Sequence, residues 1–367
     1  MKIESLDDWG VGLKKPAIIA GPCSAETEEQ LLETTTRIKD LGVEIIRAGI
    51  WKPRTRPNNF EGIGEDALRW IQNVKKETGV KFAIEVATPK HVYEALKHDV
   101  DILWVGARST TNPFTVQEIA EALRGADVPV LVKNPINPDL ALWLGAIERI
   151  SNVGVTKIGA IHRGFSSFKQ TRYRNLPMWQ IPLELKRKLG NIPLICDPSH
   201  ICGTRDNIFE VSQNAIDLDY DGLIIETHRD PENAWSDAAQ QITPEVLGAM
   251  IKNLKFRKPT SKDKDFITVL TELREQIDHV DKELFEILAQ RMDIVEKMGL
   301  YKKKNNVTVF QKDRWQEISD TRNKWSEELG LNPEFTWDLF KLIHDASIRR
   351  QEHILNTPSD DSNESAK

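Results

Sequence analysis

The sequence predicts an α/β protein, a (β/α)₈ TIM barrel, followed by an all-α helical domain. Three observations carry this. Eight short β-rich runs alternate with helical stretches from residue 17 to about 256, the pattern of a (β/α)₈ barrel. At or near the C-terminal end of each run stands a polar, ionisable or thiol side chain. Beyond residue 266 the strands stop and an apolar heptad takes over.

The candidate strands are 17–21 (AIIAG), 43–49 (VEIIRAG), 81–86 (KFAIEV), 101–107 (DILWVGA), 129–134 (PVLVKN), 155–161 (VTKIGAI), 192–197 (IPLICD) and 222–227 (GLIIET). Between them lie helical segments such as TEEQLLETTTRIKDLG and NPFTVQEIAEALRG, each closed by Gly, a normal helix stop. A doubly wound sheet is the competing reading, but the G-x-G-x-x-G loop of its dinucleotide-binding form is missing after the first strand. The chain has 367 residues and a net charge of −6, which argues against a general nucleic-acid binder. Its first residues, MKIESLDDWG, are polar and acidic rather than a signal peptide. No apolar run approaches the roughly 20 residues that span a bilayer. Three scattered cysteines make no disulfide framework, so a cytoplasmic location is expected.

Functional residues of such barrels sit at the C-terminal strand ends. Two chemistries fall there. Arg47, Lys52, Arg54, Arg108, Lys133 and Arg163 make a cationic rim, suited to more than one phosphate or carboxylate. Cys23, His200, Glu226 and, a few residues on, Asp237 supply a thiol, an imidazole and two carboxylates. That mixture suits one divalent ion, Mn²⁺, Fe²⁺, Co²⁺ or Zn²⁺ rather than Mg²⁺. Cys23, following Gly21-Pro22, also admits reading as a nucleophile or core filler. Lys133, at a strand end, admits a Schiff-base role. Cys196 reads as strand core, and Cys202 is open.

The motifs GPCS, RAGIWKPRT, GARS, VKNP, DPSH and ETHRDP…SDAAQQ resemble those of 3-deoxy-D-arabino-heptulosonate 7-phosphate (DAHP) synthase, in its compact, type I beta-like form, over residues 16 to about 250. The resemblance implies condensation of phosphoenolpyruvate with erythrose 4-phosphate, releasing phosphate. It implies metal ligation by Cys23, His200, Glu226 and Asp237. It places phosphoenolpyruvate on Arg47, Lys52, Arg108, Lys133 and Arg163, and the sugar phosphate on Arg54 and Thr55 with Asp197 nearby.

The basic, polar stretch 257–265 reads as a linker after a barrel domain of residues 1–256. One long helix is then expected, within a helical domain of residues 266–355, and a disordered tail at 356–367. Leu270, Ile277, Leu284 and Met298 share one seam position; Leu273, Val280, Ile287, Ile294 and Tyr301 share the other. The spacing asks for partner helices, hence a homodimer. Arg291 interrupts the seam, costly unless paired, and so marks either a structural ion pair or an anion site. Arg274, Lys302, Arg314, and the pair Ser347 and Gln351 at i, i+4, are placed to close that site.

LREQIDHVDKELFEILAQRMDIVEKMGLYK is similar to the first helix of the all-helical chorismate mutases. The resemblance implies chorismate binding by Arg274, Arg291, Lys302, Arg314, Ser347 and Gln351. It also implies an intertwined dimer, with Arg274 supplied by the partner chain. Gln311 and Trp315 stand where that family often has acidic or polar side chains. Together the two resemblances imply a bifunctional shikimate-pathway enzyme, with chorismate or prephenate feeding back on the barrel. The alternative is a synthase whose helical domain mainly dimerises and regulates.

Overall fold

The computed structural model describes residues 1–52, 60–168, 171–258 and 260–357, with the backbone alone of Asn323. Arg54, Thr55 and the expected tail from 358 onward lie outside the described residues. The chain divides into two compact units, Met1–Pro259 and Thr260–Lys367.

In the first unit β1 (Ala17–Gly21), β2 (Ile45–Arg47), β3 (Lys81–Val86), β4 (Ile102–Val105), β5 (Val130–Lys133), β6 (Ile158–His162), β7 (Leu194–Cys196) and β8 (Gly222–Glu226) pair in sequence order. All neighbours are parallel, and β8 closes on β1. The accompanying helices are α1 (Glu28–Lys39), α2 (Asp66–Thr78), α3 (Pro89–Lys97), α4 (Ala107–Thr110), α5 (Pro113–Ala122), α6 (Leu140–Asn152), α7 (Gln180–Leu189), α8 (Pro198–Cys202), α9 (Ile208–Asp217) and α10 (Pro244–Asn253). Local chemistry sets their ends. In α1, for example, the Thr27 side chain accepts from the Gln30 N–H, acids open the helix and Arg37 and Lys39 close it, each charge complementing the helix dipole.

Side chains of a strand alternate, so the interior and exterior faces build two cores. The outer core lies between strands and helices. The inner one stacks Ile19, Ile45, Ala83, Ile102, Trp104, Leu131, Ile161, Ile195 and Ile224 inside the barrel. Moving two residues along from several of these, still on the inner face, gives Arg47, Glu85, Lys133, Arg163, Asp197 and Glu226. The same alternation that fills the barrel therefore delivers charged groups to its C-terminal mouth.

The inner core is completed by the opening segment. Leu6, Trp9, Val11 and Leu13 join it, although the stretch reads from sequence as polar and acidic. Trp9 is 1% exposed. Trp9→Ala should cost about 3–5 kcal/mol in the urea unfolding of the barrel, read as a fall in midpoint.

Gly21 fixes how β1 meets the mouth. Its φ is +148°, and a Cβ there would lie 2.2 Å from the Arg47 carbonyl oxygen. No side chain fits, so β1 and β2 approach closely where Cys23 and Arg47 leave them.

The second unit is α11 (Lys264–Lys304), α12 (Lys312–Glu328) and α13 (Pro333–Asn356). Its first helix starts inside the stretch expected as linker, because Asp263 caps it by accepting from the Asp265 and Phe266 N–H groups. The last helix runs to Asn356, one residue into the expected tail. α12 is a helix the seam pattern does not announce. α11 packs on α13 at Gly299, where a Cβ would lie 2.9 Å from Ile354. With 41 residues, α11 is about 60 Å long. Along its first two-thirds Leu273, Ile277, Val280, Leu284 and Ile287 are between 48% and 60% exposed, a longer apolar stripe than α12 and α13 cover. Among the described residues no helix is long and apolar enough to cross a membrane.

Candidate active sites

At the barrel mouth, Cys23 is fully buried. Its backbone N–H donates to Gln241 Oε1 at 2.9 Å. Its Sγ lies 3.4 Å from both Ser236 Oγ and Asp237 Oδ2, and Lys52 Nζ is 2.9 Å away. Burial, then Glu226, push the thiol up to about 12, against the pull of Lys52. Without a cation beyond Lys52 the sulfur is therefore held as a thiol, a poor nucleophile.

Arg47 ends β2, is 1% exposed, and stands over the Trp104 ring at 5.2 Å. Its Nη2 is 3.1 Å from Glu226 Oε1. This is an ion pair without hydrogen-bond alignment, so Oε1 accepts no bond, and Arg47 Nε and Nη1 donate none. A buried guanidinium with two unused donor atoms is costly and is shaped for an anion.

Asp197 links the two chemistries. It is fully buried, takes Lys133 Nζ at 2.9 Å and His200 Nδ1 at 2.8 Å, and caps α8 by accepting from the His200 N–H. Burial opposes its charge, but His200 and Lys133 hold its carboxyl well below the ordinary range. Lys133 Nζ is committed to a buried carboxylate, an arrangement that suits anion binding better than amine attack. With Nδ1 of His200 donating to Asp197, Nε2 keeps its lone pair and lies 3.8 Å from Glu226 Oε1. Burial depresses the imidazole's pKa despite Asp197, keeping that lone pair available.

Asp237 sits at φ +47° in the 229–241 loop. Burial works against its charge, but Lys52, His200 and Arg174 hold the carboxyl well below the ordinary range. Arg163 donates through Nη1 to Asn175 Oδ1 at 2.7 Å, and burial lowers its pKa to about 10. Arg108 is exposed on the short α4.

The sequence-predicted donors Cys23, His200, Glu226 and Asp237 thus share one mouth. Among the described residues, though, no three His, Cys, Asp or Glu side chains converge into a ready metal shell. Lys52 lies against the sulfur, and His200 and Glu226 stand 3.8 Å apart. Their chemistry still fits a divalent ion: a carboxylate oxygen that accepts no hydrogen bond, an imidazole lone pair fixed by a carboxylate, and a thiol beside them.

Sequence reasoning missed the carboxamides that brace this set. Gln240 Nε2 donates to Glu226 Oε2 at 2.6 Å. Gln241 receives the Cys23 N–H and donates from Nε2 to the Ser236 carbonyl. Both stand in SDAAQQ, but nothing in their type or spacing distinguishes them from surface glutamines. Ser199 Oγ, accepting from the Glu226 N–H at 3.0 Å, was missed for the same reason.

The helical unit has its own site, a cavity of about 210 Å³ between α11, α12 and α13. Arg291, Lys302, Arg314, Ser347 and Gln351 all line it, as the sequence places them. Arg291 Nη1 donates to Ser347 Oγ at 2.6 Å, and Lys302 Nζ to the Val309 carbonyl. Gln351 Nε2 donates to the Ser347 carbonyl, while its buried Oε1 accepts nothing. Burial lowers the pKa of both Arg291 and Lys302. Trp315 packs against His344 with ring centroids 4.2 Å apart and the planes tilted by 45°. Arg274 is exposed on α11 and does not line this cavity. Arg322 and His344, unread in the sequence, do line it.

These features define a class: a barrel synthase with an anion-binding mouth, joined to a helical unit with a cationic pocket. The sequence profile of the DAHP synthetase I family matches residues 4–259, and that of chorismate mutase type II matches residues 273–352. The chain belongs to the DAHP synthetase I family and carries a C-terminal chorismate mutase domain, so both a transferase and an isomerase domain are present. The family is generally metal-dependent. The chain is 33% identical over 250 residues to a phospho-2-dehydro-3-deoxyheptonate aldolase of Thermotoga maritima, covering 68% of this chain and 72% of that one. It is 28% identical over 265 residues to a 2-dehydro-3-deoxyphosphooctonate aldolase of Legionella pneumophila, covering 66% and 92%. The crystal structure of the Thermotoga maritima phospho-2-dehydro-3-deoxyheptonate aldolase superposes with a TM-score of 0.62 at 30% identity, covering 69% and 72%. A truncated form of the synthase from the same organism gives 0.59 at 28% identity, covering 68% and 90%.

Proposed function

We propose that the barrel condenses phosphoenolpyruvate with erythrose 4-phosphate, that the helical unit converts chorismate to prephenate, and that the second activity's ligand restrains the first. The observation that carries the barrel reading is Arg47, buried at the mouth with donors unused. An enol phosphate carrying a carboxylate would supply acceptors for the unused donors of Arg47, with Lys133 and Arg163 as further cations for its phosphate and carboxylate. Lys52 and Arg108 complete its cradle; Arg54 and Thr55, with Asp197 near, take the aldehyde's phosphate.

Cys23, His200, Glu226 and Asp237 would hold one Mn²⁺, Fe²⁺, Co²⁺ or Zn²⁺ ion. When bound, such an ion supplies Lewis acidity toward a carbonyl oxygen. The chain's own groups do the rest. Asp197 orients His200 and Lys133 together. The cations hold the enol carbon toward the aldehyde, turning a two-body encounter into a positioned one. Lys133 would hand a proton to the aldehyde oxygen as the new carbon–carbon bond forms. A water adds at the carbon bearing the phosphate ester, and phosphate leaves with the ester oxygen, regenerating a carbonyl. Relatives named for both heptonate and octonate products match this barrel. The 33% identity to a heptonate aldolase and the KPRT motif support the four-carbon aldehyde.

In the helical unit, Arg291, Lys302, Arg314, Ser347 and Gln351 would grip a dicarboxylate in a compact conformer and stabilise charge developing on its ether oxygen. The exposed α11 stripe supports a homodimer through this unit, with Arg274 reaching the partner's pocket. Trp315, packed against His344 in the lining of the cavity, favours a second reading, in which the unit dimerises and regulates with weak catalysis.

One set of assays on the full-length chain separates these. Product formation from phosphoenolpyruvate and erythrose 4-phosphate should be robust, and prephenate should reduce its rate several-fold. Chorismate should be consumed by the same preparation. A synthase rate indifferent to prephenate would remove the regulatory link; robust synthesis without chorismate consumption would select the second reading.

A further inference from the structure

Arg322 has no role in the reading above, yet it lines the helical cavity with Arg291, Lys302 and Arg314. It lies eight residues, about two turns, after Arg314 on α12. Its guanidinium stacks over Trp325 at 4.4 Å and lies 5.5 Å from the Phe340 ring. Those rings flank the guanidinium. Its Nη1 donates to Thr321 Oγ1 at 2.8 Å, but its buried Nε has no hydrogen-bond partner.

The charge around it is one-sided. Burial opposes its charge, Arg314 and Arg291 add to that, and Glu317 alone offsets them. No Asp or Glu stands among the described residues that line the cavity. Arg314 spends part of its charge outside, on Glu317 at 2.6 Å. A structural role explains the stacking on Trp325. It does not explain a buried, unmet N–H beside three other cations. A carboxylate explains both, since a guanidinium edge binds its two oxygens side by side.

We propose that Arg322 is a further substrate-contacting residue of the helical site, a fourth cation whose Nε edge takes a carboxylate oxygen of the dicarboxylate ligand. This rests on the mutase reading of that cavity. A guanidinium offers a planar fork of donors, which a lysine cannot imitate.

The test uses full-length protein carrying Arg322→Gln or Arg322→Lys, with Arg291→Ala as reference. Chorismate kinetics and calorimetric binding of prephenate are measured. Arg322→Gln should raise KM and the prephenate Kd about 10- to 100-fold, and Arg322→Lys should recover only part. A Gln variant that melts like the wild type and binds prephenate as tightly overturns the proposal. If the Gln variant melts early, the Lys variant decides, and wild-type affinity there overturns the Nε assignment. Wild-type protein that neither turns over chorismate nor binds prephenate sinks the mutase reading and this proposal with it. Loss in Arg291→Ala with wild-type behaviour in both Arg322 variants sinks this proposal alone.

Discussion

Cys23→Ser is expected to release the metal and to lower the condensation rate at least about 100-fold, while chorismate turnover in the same preparation stays intact. The substitution is nearly isosteric, and the side chain is fully buried, so packing barely changes. What changes is the donor. A thiol that burial holds protonated up to about 12 becomes a ligand only where a cation drives off its proton. A hydroxyl in the same place resists that far more strongly. Metal content after dialysis and the synthase rate should fall together. Cys196→Ser is the control: Cys196 is equally buried, but in the outer core between strands and helices, so metal content should persist. A Cys23→Ser protein that keeps both its metal and its rate would remove Cys23 from the donor set and return it to core filler.

Much of the barrel was legible because its physics is local. Buried strands such as Val130–Lys133 and Gly222–Glu226 announce themselves as apolar runs. The rule that such barrels carry function at their C-terminal strand ends then put Arg47, Lys133 and Glu226 on the rim before any geometry was known. What stayed hidden depends on tertiary placement. Leu6 and Trp9 sit among acidic residues, and only the closed barrel shows that they fill its inner core. Gln241 braces Cys23 and the loop that carries Asp237, but a glutamine's role is set by what stands opposite it. Lys52 was placed with the anion ligands, whereas its Nζ lies 2.9 Å from the Cys23 sulfur, a contact no spacing predicts.

The helical unit divides the same way. The α11 seam and its break at Arg291 were plain from periodicity. α12 was not, because its apolar residues are few. Its N-cap Gln311 and its cavity-lining Trp315, Ile318 and Arg322 do follow helical i, i+4, i+7, i+11 spacing, but an amide, an indole, an aliphatic chain and a guanidinium disguise the stripe. Only the lining of a shared cavity groups them.

Arg291→Ala should lower chorismate turnover about 100- to 1,000-fold, the cost of removing one fixed donor from developing negative charge. Ser347, which accepts from Arg291 at 2.6 Å, would lose that partner as well, so kcat and not only KM should fall. Arg274→Ala should be comparably damaging for a different reason. Arg274 is exposed and outside its own chain's cavity, so in an isolated subunit its loss would cost almost nothing. In a homodimer that crosses the α11 stripes, it would reach the partner's cavity. Co-expressing the two inactive variants separates these cases. A mixed dimer would hold one site with both arginines intact and one with neither. Random pairing would then restore about a quarter of wild-type turnover. Recovery at that level requires a site built from two chains; no recovery from two individually inactive variants would confine each arginine's effect to its own subunit and remove the shared-site dimer.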